Sequence, residues 1–160
     1  MEKDRLLDAC GKAFGLIILL ASLSSCSLPR IALLHDPLTP EEHVNLGLSY
    51  EKNHEFDAAI EEYEAASSKL PLAYLYMGNL YFQKKEFDKA ERSYRKALKQ
   101  TQSPYAFNNL AWLYYTTDGN LDEAERLAKT AVEMSPDVKE FTDTLSKIQE
   151  RRREHGPSDH

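Results

Sequence analysis

One set of spacings recurs three times between His43 and Pro136. His43-x-x-Leu46-Gly47-x-x-Tyr50 leads to Ala59-x-x-x-Tyr63-x-x-Ala66 and Pro71. Tyr74-x-x-Met77-Gly78-x-x-Tyr81 leads to Ala90-x-x-x-Tyr94-x-x-Ala97. Phe107-x-x-Leu110-Ala111-x-x-Tyr114 leads to Ala124-x-x-x-Ala128-x-x-Ala131 and Pro136. Residues three and four apart share a helix face, so each unit predicts two amphipathic helices joined by a turn. An ordinary helical bundle also needs such stripes, but stripes alone do not demand Gly, Tyr and Ala at recurring offsets. Glycine inside a helix costs about 1 kcal/mol relative to alanine. Gly47 and Gly78 therefore predict a neighbouring helix too close for a Cβ, with Ala59, Ala66, Ala90 and Ala97 as the small partners across the contact. Pro71 and Pro136 end their units by withholding a backbone donor.

The pattern resembles the tetratricopeptide repeat, a helix–turn–helix unit of about 34 residues. The resemblance implies an all-α solenoid of about three helix pairs plus a C-terminal capping helix. The repeats fall at about 40–70, 71–103 and 104–136, the cap at 137–153, and a short tail at 154–160. Such units cannot bury their apolar face alone, and their stacks present a concave surface that usually binds another polypeptide. Departures are visible. Gly47 and Gly78 are 31 residues apart, and Gly78 and Ala111 are 33 apart. The third unit carries one extra residue in Thr117-Asp118-Gly119-Asn120, a turn-forming stretch. Ala128 stands where Tyr63 and Tyr94 stand in the other units, which predicts a thinner contact there. Gln102 replaces a closing proline, and Pro104 opens the next helix instead.

The array has recognisable ends. Thr39-Pro40-Glu41-Glu42 reads as a capped helix start, with Thr39 and Glu42 forming a reciprocal box around Pro40. Beyond Pro136, Phe141, Leu145 and Ile148 stripe one more helix from Val138 to about Arg153, polar elsewhere through Lys147, Glu150, Arg151 and Arg153. A terminal helix with a polar back keeps a repeat array soluble. Arg151, Arg152 and Arg153 favour that helix's negative C-terminal end, a simpler role than nucleic-acid binding.

The first twenty-six residues carry a different signal. Met1 to Lys12 is charged, and Ala13 to Leu23 is an apolar run of eleven residues. That is too short to span a bilayer and suits the apolar core of a signal peptide. Leu23-Ser24-Ser25-Cys26 follows, and it resembles the lipobox of bacterial lipoproteins. The resemblance implies a signal peptide over 1–25, a lipid-bearing Cys26 as the new N-terminus, and a tether over 26–39. Ser25 is a departure, since Gly or Ala is commoner there. The n-region is another, with Lys3, Arg5 and Lys12 balanced by Glu2, Asp4 and Asp8. Cleavage by the ordinary signal peptidase, leaving one free thiol, is the alternative. Cys10 would leave with the signal, so no disulfide forms and packing alone holds the fold. Ser27 follows the cysteine. In Gram-negative lipoproteins an Asp there tends to retain the protein in the inner membrane, so the resemblance places this chain on the periplasmic leaflet of the outer membrane. Ile31-Ala32-Leu33-Leu34 is apolar enough to dock on the first helix.

The formal charge is −6 with pI ≈ 5.4. Such a chain is a poor nucleic-acid binder. It gains nothing overall from anionic headgroups, so attachment to the membrane is expected through acyl chains at Cys26. No His-Glu-x-x-His, phosphate loop or Gly-x-Ser-x-Gly is present, and the chain is expected to be no enzyme and to need no cofactor. His35, Asp36, Glu42 and His43 fix no metal geometry, and Glu61, Glu62 and Glu64 read as a solvated helix face. A monomer is expected.

In tetratricopeptide arrays the first helix of each repeat lines the concave face. Mapped here, the resemblance implies a peptide-binding groove of Val44, Leu48, Leu72, Leu75, Asn79, Phe82, Tyr105, Asn108, Trp112 and Tyr115. Aromatic rings supply contact area, and amides can hydrogen-bond a peptide backbone in both directions. It differs from the clamp some family members use for C-terminal carboxylates, which has Lys and Asn where Val44 and Leu48 stand. The chain's own tether or terminal helix could instead cover several of these aromatics. The expected function is a scaffold or assembly factor for an unidentified envelope protein. Similar lipoproteins serve type IV pilus assembly, secretin placement, outer-membrane protein insertion and envelope maintenance. The alternative is a non-catalytic accessory subunit of a peptidoglycan or polysaccharide enzyme.

Overall fold

The computed structural model describes residues 36–155. The segments expected to form a signal peptide and a lipidated tether, with Cys26 and residues 31–34, lie outside the described residues. Among the described residues every regular element is a helix: α1 (Pro40–Lys52), α2 (Phe56–Ser67), α3 (Leu72–Gln83), α4 (Phe87–Gln100), α5 (Pro104–Thr116), α6 (Leu121–Met134) and α7 (Lys139–His155). The heaviest packing falls within α1–α2, α3–α4 and α5–α6, and each pair then packs on the next through α2–α3, α4–α5 and α6–α7. This is an all-α solenoid of three helix pairs with a terminal helix.

Local chemistry sets the helix ends. The Thr39 hydroxyl accepts from the Glu42 backbone N–H at 3.2 Å, and the Glu42 carboxylate accepts from the Thr39 N–H at 2.7 Å. These bonds hold the Glu42 carboxyl below the usual carboxylate range. Pro104 opens α5, and the Asn120 side chain caps α6 by accepting from Glu123 N–H at 3.0 Å. Pro71 is the residue before α3, four past the end of α2 at Ser67, so it starts a helix rather than stopping one. His54, Lys85 and Asp118 take positive φ of 62°, 62° and 50° at the turn inside each pair.

The glycines show why the pattern recurs, with a correction to their partners. A Cβ on Gly47 would lie 2.7 Å from Cδ1 of Tyr63, and one on Gly78 would lie 2.5 Å from Cδ1 of Tyr94. The small residues make room for a tyrosine ring from the second helix, not for Ala59, Ala66, Ala90 or Ala97. Those four alanines are fully or almost fully buried in the surrounding core. In the third repeat Ala111 faces a unit whose Tyr has become Ala128, and both are fully buried. The missing ring is offset by a methyl group on the opposing helix.

Two apolar clusters run into one another along the array. One gathers Val44, Ala59, Ile60, Tyr63, Ala66, Ala73, Met77 and Leu80. The other runs from Leu75 and Ala90 through Leu110 and Leu127 to Ile148. Tyr74 and Tyr81 pack against both. All of these residues lie within the compact unit from Leu38 to His160, so that unit contains the core it needs to fold without the preceding segment.

The terminal helix is fastened rather than merely solvated. Phe141 and Ile148 are completely buried. The Arg151 guanidinium donates to the Tyr115 carbonyl at 2.6 Å and to Asp118 at 2.8 Å. Arg152 pairs with Asp122 and Glu125, and Gln149 donates to Glu125 at 3.2 Å. Arg151 and Arg152 thus tie α7 to α5 and α6, while Arg153 stays exposed.

Candidate functional site

The first helices of the repeats supply the ten residues expected to line a groove, and their burial follows repeat position. Val44, Leu75 and Asn108 each follow the aromatic or histidine that opens the pattern, and all three are buried, at 7 %, 7 % and 2 % exposure. Val44 joins the cluster containing Ala73 and Met77 of α3. Leu75 joins the one containing Ala106 and Leu110 of α5. Val44 and Leu75 face the next repeat and are core, whereas Asn108, although almost fully buried, lines the cleft between α5 and α7. Leu48, Asn79 and Trp112 each follow the small residue of the pattern; Leu48 is exposed and the other two are half-buried. Leu72 and Tyr105 are exposed, while Phe82 and Tyr115 are half-buried. Phe82 packs against the core and meets the Phe87 ring at 5.7 Å.

The surface becomes concave between α5 and α7. A cleft of about 410 Å³ is lined by Asn108, Asn109 and Trp112 from α5 and by Lys139, Glu140, Asp143, Thr144 and Lys147 from α7. Trp112 forms one wall. Its ring stacks on Tyr115 with centroids 5.0 Å apart, and the Lys147 ammonium sits 5.0 Å from its centroid. Arg151 covers the Tyr115 ring at 4.1 Å. The terminal helix thus reaches the tryptophan through Lys147, and the half-buried indole lines the cleft. Phe141 instead meets the exposed Tyr105 edge-on at 5.2 Å.

A string of amides runs from this cleft along the first helices. Asn108 Nδ2 donates to Asn109 Oδ1 at 3.3 Å, and Asn109 Nδ2 donates to Asn79 Oδ1 at 2.9 Å. Tyr94 also donates to Asn79 Oδ1, at 3.0 Å. The string joins α3 to α5 and fixes the orientation of Asn109 at the cleft. At its end the Oδ1 of Asn108 is buried with no hydrogen-bond donor among the described residues. A buried acceptor left without a donor costs about 1–3 kcal/mol. Asn109 and the α7 residues were not anticipated from sequence. Their signal is the spacing of Asn109 from Trp112, and of Glu140, Asp143, Thr144 and Lys147 from one another, at helical intervals of three and four.

Electrostatics elsewhere are structural. Burial, reinforced by donation to Glu91 at 2.8 Å, pushes the Tyr114 phenol up to about 12. Burial works to raise the Glu91 carboxyl, but its bonds from Arg95 and Tyr114 outweigh that and hold it below the ordinary range. His43 Nδ1 lies 2.7 Å from Glu62, which takes Glu62 out of the solvated face expected for Glu61 and Glu64. Among the described residues no group of three His, Cys, Asp or Glu side chains could hold a metal ion, and no helix is long and apolar enough to cross a membrane.

Comparison with known proteins agrees with this geometry. Models of the tetratricopeptide repeat match residues 43–68 and 70–137, together more than half of the chain. No curated protein sequence matches significantly. Among solved structures, the first such repeat domain of Spaghetti (RPAP3), bound to the HSP90 peptide SRMEEVD, superposes with a TM-score of 0.67 at 23% identity, over 72% of this chain and 94% of that one. The UNC-45 chaperone, described as binding and folding muscle myosin, gives 0.64 at 22% identity, over 73% of this chain but 14% of that one. PilF of Pseudomonas aeruginosa gives 0.66 at 18% identity, over 75% of this chain and 56% of that one. At these identities the likeness is one of fold. With three helix pairs, tyrosines seated on glycines and repeat models along the array, the chain belongs to the tetratricopeptide repeat family.

Proposed function

We propose that this protein is a lipid-anchored interaction scaffold that holds an envelope protein at the periplasmic face of the bacterial outer membrane, by seating a peptide segment of that partner in the α5–α7 cleft. The observation that carries the binding half is the cleft itself. It combines an aromatic wall at Trp112, an oriented amide at Asn109, and charges of both signs at Lys139, Lys147, Glu140 and Asp143. Aromatic anchors and convergent polar groups are what a peptide site requires. The mixed charge favours a segment within a chain over a bare C-terminal carboxylate, in keeping with Val44 and Leu48 at positions where a carboxylate clamp has Lys and Asn. The Spaghetti domain, of similar fold, holds a peptide, which makes the same use of this fold reasonable here. Display of random peptides against residues 38–160, followed by cross-linking of the selected binders, should mark α5 and α7. Cross-links concentrated on α2 or α6 would count against the cleft.

The anchoring half rests on Leu23-Ser24-Ser25-Cys26 after the eleven-residue apolar run. Two or more acyl chains make membrane attachment stable. Cys26→Ala should abolish incorporation of labelled fatty acid and leave the chain unprocessed or differently processed. Normal processing and membrane fractionation of that variant would remove the anchor from the account.

A further inference from the structure

Among the described helices, α4 has the largest excess of Lys and Arg over Asp and Glu; the terminal helix has as many cations but offsets them with four carboxylates. Helix α4 carries Lys89, Arg92, Arg95, Lys96 and Lys99 against Asp88 and Glu91, whereas α2 carries four carboxylates and no cation. Lys89, Arg92, Lys96 and Lys99 follow one another at intervals of three, four and three, so they form one row along the helix. All four are exposed, and the side of α4 packed on its neighbours is a different one, built from Ala90, Ser93, Tyr94 and Ala97. Lys89 is partly neutralised by Glu86 at 2.5 Å, and the Lys96 ammonium rests 5.2 Å from the Tyr74 ring centroid. Arg92 and Lys99 make no ion pair or hydrogen bond among the described residues. By contrast α6 pairs its cations within the helix, Arg126 with Glu123 and Lys129 with Glu125. Like charges three and four apart oppose each other and weaken the helix, and although Lys89 and Lys96 also rest on the Tyr81 and Tyr74 rings, no fold contact of Arg92 or Lys99 offsets that repulsion.

We infer that the α4 row is a docking face for an anionic lipid surface, which orients the anchored domain with α4 against the headgroups. The inference rests on the anchoring reading above for the nearness of a membrane. With lipid at Cys26 and α1 beginning at Pro40, fourteen residue steps allow a reach of at most about 50 Å. A tether that short keeps the domain at about millimolar effective concentration next to the surface. Weak attraction then suffices, and each Lys or Arg near anionic headgroups adds to it. The net charge of −6 disfavours other approaches, so the row selects an orientation.

The test uses the unacylated unit, residues 38–160, so it is independent of whether Cys26 carries lipid. Co-sedimentation is measured with vesicles of phosphatidylcholine alone and of phosphatidylcholine with an equal part of phosphatidylglycerol. At roughly 20 mM salt the bound fraction should be about tenfold higher on the anionic vesicles, and it should fall to the neutral-vesicle level at about 0.5 M salt. Arg92→Glu/Lys96→Glu/Lys99→Glu should abolish the difference, and the milder Arg92→Gln/Lys99→Gln should reduce it. Lys52→Glu/Lys69→Glu/Arg153→Glu changes the net charge equally but should retain most binding. Equal binding to both vesicle types, wild-type binding by the α4 triple variant, or equal loss in the two triple variants would overturn the inference. Vesicle-free self-association that the α4 triple variant dissolves would also overturn it, because the occupant of the row would then be a second copy. None of these outcomes bears on Cys26→Ala, so the two readings fail separately.

Discussion

Gly78→Leu should destabilise the domain by about 3 kcal/mol or more and lower its melting temperature by roughly 10 °C or more. A single Cβ at this position already lies 2.5 Å from Cδ1 of Tyr94 and closer to Cε1. The ring cannot step aside. Tyr94 is 2% exposed, and its hydroxyl is held by Asn79 at 3.0 Å. The third repeat suggests the compensation, because Ala111 and Ala128 occupy the corresponding sites without strain. Gly78→Ala and Tyr94→Ala should each be destabilising alone, the second by about 3–5 kcal/mol as a large-to-small change in a core. Combined, they should cost clearly less than the two single losses added together, since the methyl enters space the ring vacates. Urea melts of the four proteins measure this directly. An unchanged midpoint for Gly78→Leu, or strict additivity in the cycle, would contradict ring-on-glycine packing as the basis of the array.

Much of this architecture was legible because the repeat imposes chemistry that few other folds need. A glycine in mid-helix has little purpose except close packing, and Gly47 and Gly78 hold the same place in their units. Thr39 and Glu42 were legible for a similar reason, as their reciprocal bonds depend only on local geometry. The ring itself was not. Small residues at several positions compete as partners for a glycine, and sequence alone does not say which side chain fills the gap. The groove was legible only in part. Val44 and Leu75 share a repeat position that looks outward on an isolated helix, but in the stack it meets the first helix of the next repeat; Asn108, at the same position of the last repeat, lines the cleft instead. Leu48, Asn79 and Trp112, one turn on, escape that contact to varying degrees. The α7 wall of the cleft was missed because Lys147 read as part of the polar back of a terminal helix, and Lys139, Glu140 and Asp143 carried no signal of their own. That back is where α7 turns toward Trp112.

Trp112→Ala should abolish capture of peptides selected against the domain, a loss of about 2 kcal/mol or more as at other aromatic hot spots. Its cost in stability should be smaller, about 1–2 kcal/mol, the value of one aromatic stack and one cation–π contact. That expectation follows from a ring held between Tyr115 and Lys147 yet open on one side. Were the indole fully buried, truncation would cost roughly 3–5 kcal/mol and lost binding would simply accompany unfolding. Binding at wild-type affinity by a well-folded Trp112→Ala domain would remove the cleft from the functional account. The chain contains one tryptophan, so its emission reports on the proposed wall alone. Acrylamide quenching of Trp112 fluorescence, measured while a selected peptide is titrated in, is therefore the most direct measurement. The account predicts a saturable drop in quenching, with a midpoint equal to the peptide's independently measured Kd. Full peptide binding with quenching unchanged would show that the partner is held elsewhere and would contradict the central claim.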